Sequence, residues 1–358
     1  MSRSRNLLAT VALAVAFMAA LGGTAQAEPP ECTGEPSSIQ TLNITVAGVP
    51  TYGYYALPSD TPKGVVVLGH GYPSTAQSMV PLLPGIAERD DVIVVAMDYH
   101  GTTDVEGPTG TVSRGWKVAE GAEDSIAAAR LFDNTCQSLN PTRFVNTAFG
   151  ISMGGNMTGL AVSEKATRTD GSNLFDYWFD VAGVTNVPEI YTDATAISLL
   201  PLGAIQTVGK NAKADIEAEM GGSPLLHLTT YLNRSPVLRA SNMKSSGLKG
   251  IVIAHGVLDG EVTSDQSDQM VAALALAGIP TDYSTSIFKA PETPPGLTLD
   301  GDILGLIPGY ASPFAGHVNE IVLNAALTRL DALYQEGVTP SGLKLTLEDG
   351  TLGTFPLL

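Results

Sequence analysis

The sequence predicts an α/β fold, a mostly parallel sheet flanked by helices, and three observations predict it. Short apolar runs such as Val65-Val66-Val67-Leu68 and Ile251-Val252-Ile253-Ala254 lack polar alternation, so they read as strands buried on both faces. Segments of helical composition lie between them, and strands alternating with helices put a parallel sheet between two helical layers. The 358-residue chain is 44% hydrophobic with mean hydropathy +0.15, enough for a sizeable core.

Each element follows in order. Arg3 and Arg5, the apolar run Leu7–Leu21 and the small-x-small site Ala25-Gln26-Ala27 read as a signal peptide over 1–27. Cleavage near Ala27 leaves one domain, 28–358, secreted into an extracellular or periplasmic space. Ile39–Val46 and Thr51–Leu57 alternate and read as opening antiparallel strands. A turn over Ser59–Gly64 precedes the strand Val65–Leu68. A helix over Ala76–Arg89, a strand Val92–Met97, an Ala-rich helix Gly115–Asp133 and a strand Phe144–Phe149 follow. Further strands are expected at Asp176–Val181, Ile251–Ala254 and Asp282–Phe288, and a closing helix at Val318–Tyr334.

Two stretches break this rhythm. The segment 185–249 is far longer than a usual connection and contains helical pieces at Ala194–Leu200 and Ala212–Met220, so it reads as a helical cap insertion. The Pro/Gly-rich stretch Ala290–Gly316 leads directly to His317; within it Asp300 and Asp302 read as a solvated loop rather than a calcium site. The tail Leu343–Phe355 reads as a structural hairpin turning at Asp349-Gly350.

Charge and cysteines narrow the function classes. With 36 acidic against 19 basic residues, net −17, the surface repels phosphate backbones and anionic lipid, which argues against nucleic-acid binding. No stretch after the leader is long and apolar enough to span a bilayer, so stable membrane insertion is not expected. The two cysteines, Cys32 and Cys136, read as one disulfide in an oxidising compartment.

The strongest motif is Gly150-Ile151-Ser152-Met153-Gly154, after a strand and before a helical run. A serine hydroxyl is a weak nucleophile unless a base takes its proton, and it must project clear of the sheet. Small residues at Gly150 and Gly154 permit the sharp turn that does this. With the order serine, acid, histidine, only His227, His255 and His317 follow the nucleophile. His227 lies in the cap and His255 ends a strand before any acid loop, which leaves His317 as the base. Asp259, in the turn after Ile251–Ala254, is the expected acid. Asp265 and Asp268 fit better as the first turn of a helix, and Asp180 lies inside a buried strand. The backbone N–H groups of Met153 and Tyr72 are the expected oxyanion donors, the latter from Gly69-His70-Gly71-Tyr72. His70 reads as a brace for this loop.

Together these residues resemble the α/β-hydrolase superfamily over most of the mature chain. Tyr231-x-x-Arg234-Ser235-Pro236 and His255-Gly256-x-x-Asp259-x-x-Val262 are similar to the dienelactone hydrolase and prolyl oligopeptidase-like branch. Gly71-Tyr72 with Ser152-Met153-Gly154-Gly155 is also similar to secreted cutinase-like polyesterases. The resemblance implies an acyl-enzyme mechanism without metal or organic cofactor. The chain shows no β-propeller of the kind those peptidases use to select peptides, so the expected substrate is a small-molecule or polymeric carboxylic ester. A prolyl oligopeptidase-like peptidase, an acyltransferase and a non-catalytic binding module are the alternatives. Oligomeric state is not legible.

Overall fold

The computed structural model describes residues 31–107, 110–142, 144–201, 203–257, 259–286, 317, 320–348 and 354–356. Twelve strands occur among them. The first ten in chain order are β1 (Gln40–Val46), β2 (Val49–Ala56), β3 (Gly64–Gly69), β4 (Ile93–Met97), β5 (Thr103–Gly107), β6 (Gly110–Arg114), β7 (Val145–Ile151), β8 (Tyr177–Val181), β9 (Gly250–Gly256) and β10 (Thr281–Ser286). The last two are β11 (Leu343–Glu348) and β12 (Thr354–Pro356). Ten of them form one sheet in the order β1-β2-β4-β3-β7-β8-β9-β10-β11-β12, parallel from β4 through β11 and antiparallel at both ends.

The central strands are apolar on both faces because both faces are covered. In β3, Val65 and Val67 point into one core and Val66 and Leu68 into the other. On the first side lie α2 (Val118–Cys136) and α3 (Met153–Ser163), which contribute Phe132, Met157 and Leu160. On the second lie α1 (Leu83–Asp90) and the late helix Glu320–Asp331, with Leu83, Ile86, Val322 and Leu330. A disulfide joins Cys32 to Cys136, Cα atoms 5.6 Å apart, and ties the segment before β1 to the end of α2.

Some elements differ from expectation for identifiable reasons. The helix expected over Ala76–Arg89 is a 3₁₀ stretch, Ala76–Leu82, followed by α1, because Pro81 cannot donate to the preceding turn and Pro84 suits a helix start. The helix expected from Gly115 begins at Val118, since Gly115 sits at φ 125, outside helical space. The β5–β6 hairpin was not expected at all. The tail pairs antiparallel as expected, and β11 also adds parallel to β10, extending the main sheet. Between β8 and β9 the chain forms α4 (Val187–Leu199), α5 (Ala204–Met220), α6 (Pro224–Asn233) and α7 (Ala240–Ser245). The helix α8 (Asp265–Ala277) follows β9 and α9 is Glu320–Asp331. Residues 1–30, Asp300, Asp302 and the turn at Asp349-Gly350 lie outside the described residues.

Register decides what meets at the carboxyl rim. Gly69 of β3 is level with Gly150 of β7, Gly150 with Asp180 of β8, and Val181 with Ala254 of β9. The chain therefore leaves four adjacent strands at one edge, where Tyr72, Ser152 and Asp259 follow within a few residues.

Candidate active site

Ser152 stands between the end of β7 and the first residue of α3 at φ 57, ψ −124, a backbone conformation that costs a non-glycine residue roughly 1–3 kcal/mol. Its surroundings hold it there. The Ser152 N–H donates to Val181 O at 3.0 Å, and its carbonyl accepts from Gly155 at 2.8 Å and Val184 at 3.2 Å. The flanking glycines are steric necessities. A Cβ on Gly150 would overlap Thr158 Oγ1 and the Gly154 carbonyl, and one on Gly154 would overlap the Gly69 carbonyl. A Cβ on Gly71 would come within 3.3 Å of Ser152 Cβ, so the loop after β3 lies directly against the serine. As the first residue of α3, Met153 has an N–H beyond the reach of intrahelical acceptors.

Asp259 and His317 are brought together. His317 Nδ1 lies 2.7 Å from Asp259 Oδ2, and both side chains are buried. The other carboxylate oxygen accepts the N–H groups of Glu261 at 2.9 Å and Val262 at 3.0 Å. His255, set aside by order in the sequence, makes a second imidazole contact to Asp259. Its Nε2 faces two acceptors, Asp259 Oδ2 at 3.1 Å and Val262 O at 2.9 Å, so that nitrogen carries the proton and Nδ1 accepts from Ser267 Oγ at 2.6 Å. Asp259 is thus supplied with four donors. Burial opposes its ionisation, but His317 and His255 outweigh burial and hold the carboxyl well below the ordinary range. At His317 burial likewise opposes charge, and Asp259 and Glu261 overcome it, raising the pKa to about 9. His317 Nε2 is buried and engages no hydrogen-bond partner among the described residues; no hydrogen bond joins it to Ser152.

A narrow cavity of about 50 Å³ opens on Ser152. Tyr72 and Trp116 form one wall and Glu261 and Val262 another. The roof comes from α4, through Ile190, Ala194 and Ile197, and from α5, through Val208, Gly209 and Ala212. These two helices approach closely because Gly209 has no side chain; a Cβ there would come within 2.7 Å of Ile197 Cγ2 and the Ser198 amide. His70 holds the loop before Tyr72 from inside: Nδ1 donates to Gly71 O at 3.0 Å, its ring stacks on Tyr99 at 4.0 Å, and Tyr99 Oη donates to His70 O at 2.9 Å.

The other sequence candidates sit elsewhere. Asp265 and Asp268 open α8, and Asp268 accepts from Tyr283 Oη at 2.9 Å. His227 interrupts α6 at φ −124. Asp180 is fully buried in β8, both oxygens without hydrogen bonds, and burial lifts its pKa to about 7. Sequence reading missed Trp116, Glu261, Arg114 and Asp215; the one available signal was that Glu261 and Val262 adjoin the expected acid. Among the described residues no three His, Cys, Asp or Glu side chains are placed to hold a metal ion, and no helix is long and apolar enough to cross a membrane.

With this geometry in hand, comparison with known proteins places the chain. Residues 83–288 match the model of the prolyl oligopeptidase family. No curated protein sequence matches. Among solved structures, a hyperthermophilic esterase from the archaeon Pyrobaculum calidifontis superposes with TM-score 0.54 and 16% identity, covering 84% of this chain and 87% of that one. A thermostable carboxylesterase cloned from a metagenomic library gives TM-score 0.53 and 16% identity, covering 85% and 92%. The acylaminoacyl peptidase of Pyrococcus horikoshii gives TM-score 0.47 and 18% identity over 69% of this chain, which spans only 36% of that larger protein. The two esterase likenesses show the α/β-hydrolase fold, and the matched segment, more than half of the chain, shows that it belongs to the prolyl oligopeptidase family of serine hydrolases.

Proposed function

We propose that the chain hydrolyses carboxylic esters through Ser152, His317 and Asp259. Neutral His317 takes the Ser152 proton at Nε2 as Oγ attacks the ester carbonyl. Asp259 holds the imidazole with Nδ1 protonated and stabilises the imidazolium that forms. The N–H groups of Tyr72 and Met153 receive the oxyanion. His317 then protonates the leaving alcohol, and water activated by the same nitrogen releases the acid from the acyl-enzyme. Serine and imidazole come into hydrogen-bonding register as substrate enters, as catalytic contacts often do.

One observation carries the reading: a buried imidazole is fixed by Asp259 at 2.7 Å through one nitrogen and uncommitted at the other, and the cavity that opens on Ser152, held at φ 57, is also lined by Glu261 and Val262, whose N–H groups donate to the same aspartate. The mostly apolar cavity, with Glu261 at its wall, favours a small uncharged acyl group. The leader over 1–27 and the Cys32–Cys136 disulfide support export and an oxidising compartment. The family match favours a second reading, cleavage of aminoacyl amides by the same groups. A panel of p-nitrophenyl esters graded by acyl length, run beside aminoacyl p-nitroanilides on wild type and Ser152→Ala, tests both. Ester turnover that falls at least ~10⁴-fold in Ser152→Ala is expected. Anilide turnover exceeding ester turnover would overturn the ester assignment, and an active Ser152→Ala would overturn the site.

A further inference from the structure

We infer that Asp215, on the roofing helix α5, is a positioning residue that sets the oxyanion donor by anchoring Tyr72. The inference rests on the proposed triad and adds a residue from outside it. The loop carrying the Tyr72 N–H is fixed inside by His70 and packs against Ser152 at Gly71. On its outer side the anchor is the Tyr72 side chain, whose Oη donates to Asp215 Oδ2 at 2.6 Å. Asp215 does not float. Arg114, at the end of β6, grips its carboxylate with two donors, Nε to Oδ2 at 2.6 Å and Nη2 to Oδ1 at 2.8 Å. A planar guanidinium presenting two donors to a carboxylate fixes direction as well as distance. Three segments far apart in sequence therefore meet at one carboxylate: the loop after β3, the β5–β6 hairpin and α5. Burial, and then Asp215 itself, keep the Tyr72 phenol protonated and able to donate.

The consequence concerns catalysis rather than folding alone. The Tyr72 ring and residues of α5 line the same cavity, so seating the roof over a substrate and placing the Tyr72 N–H are one event. A second tie between α5 and the body, Lys117 Nζ to Glu219 Oε2 at 3.2 Å, touches none of the proposed catalytic groups and serves as a control.

The experiment compares Tyr72→Phe, Asp215→Asn, the double variant and Lys117→Ala in the otherwise unaltered protein. Readouts are kcat and KM on a p-nitrophenyl ester, and affinity for a boronic acid, which forms a tetrahedral oxyanion analogue on the serine. Tyr72→Phe keeps the ring and the backbone amide, so it reports on the link alone. Both single variants are expected to lose about tenfold in kcat with KM little changed. Boronate affinity is expected to fall by the same factor, and the double variant to be no worse than either single. Lys117→Ala should leave kcat and boronate affinity unchanged. Unaltered kcat in Tyr72→Phe, additive losses in the double variant, or an equal loss of boronate affinity in Lys117→Ala would each overturn the positioning role. Failure of the triad itself is separately visible, as an active Ser152→Ala or as wild type that boronate does not inhibit.

Discussion

The substitution Asp259→Asn discriminates sharply because the structure fixes which way the amide must face. Oδ1 of Asp259 accepts two backbone N–H groups, from Glu261 and Val262, while Oδ2 accepts from His317 and His255. An asparagine has one accepting oxygen for these two pairs of donors. Turning its NH₂ toward the backbone would leave two buried amides unpaired, about 1–3 kcal/mol each. The backbone amides cannot adapt, whereas an imidazole can shift its proton. His255 also retains Val262 O at 2.9 Å as an acceptor for Nε2. The asparagine oxygen therefore stays on the backbone, and its NH₂ confronts His317 Nδ1. That nitrogen must become the acceptor, so the proton moves to Nε2, which can no longer take one from Ser152. The expected result is a loss of about 10⁴-fold in kcat on p-nitrophenyl esters, the scale associated with a wrong histidine tautomer, with the protein still folded. A loss under tenfold would refute the reasoning, because it would mean the imidazole reaches the working tautomer without the carboxylate.

Three further outcomes are expected. Since only neutral His317 accepts the serine proton and its pKa is raised to about 9, kcat/KM should climb about tenfold per pH unit below that value, and Glu261→Gln should move the bend downward; a bend at 6.5 in both proteins would contradict this. Replacing Cys32 and Cys136 by serine opens a loop closed across 104 residues, and urea melts should show roughly 4–5 kcal/mol less stability with the ester rate per folded molecule retained; a loss below about 1 kcal/mol would count against it. Asp180, with its pKa lifted to about 7, holds a proton that the unfolded chain surrenders near 3.8, so native stability should fall as pH rises between those values. Asp180→Asn should be more stable than wild type at pH 8, by up to about 4 kcal/mol, and not at pH 4, and a difference independent of pH would refute it.

The fold was largely legible because the strands that matter are buried on both faces. Runs such as Val65–Leu68 and Ile251–Ala254 announce themselves as continuous apolar segments, and all lie in the sheet within a residue or two of their expected ends. The hairpin β5–β6 was not legible. Its residues, Thr103–Gly107 and Gly110–Arg114, show no apolar alternation, and the pair forms a separate two-stranded sheet. At the site, chain order and the glycines around Ser152 were enough to nominate three side chains. Contacts such as Arg114 with Asp215, 101 residues apart, leave no local pattern, because an ion pair between an exposed-looking arginine and aspartate resembles any other solvated charge. The contact of His255 with Asp259 is illegible for a related reason: order in the chain excludes His255 as the base, but order says nothing about which groups surround the acid.

Four departures from ordinary packing cluster around the site, and that clustering constrains how the molecule divides stability from function. Ser152 at positive φ, Ala182 at φ 49, the orphaned carboxylate of Asp180 and the uncommitted Nε2 of His317 belong to segments leaving β7, β8 and β9 or seated beside them. Each is locally unfavourable. Here they are held by a sheet whose central strands are buried on both sides, and the tight fit is itself part of the strain. Gly155 and Gly183 press on Asp180 so closely that a Cβ at either would overlap its carboxylate. Pinned against those glycines, Asp180 cannot turn toward a donor, and the turn that lifts Ser152 cannot relax without moving β8. The rigid centre of the fold thus holds the serine in its strained position before any substrate arrives, and the adjustable part of the site is left to the roof of α4 and α5. Substrate choice should accordingly change through residues such as Gly209 and Ile197, where the roof helices meet, without disturbing the elbow beneath them.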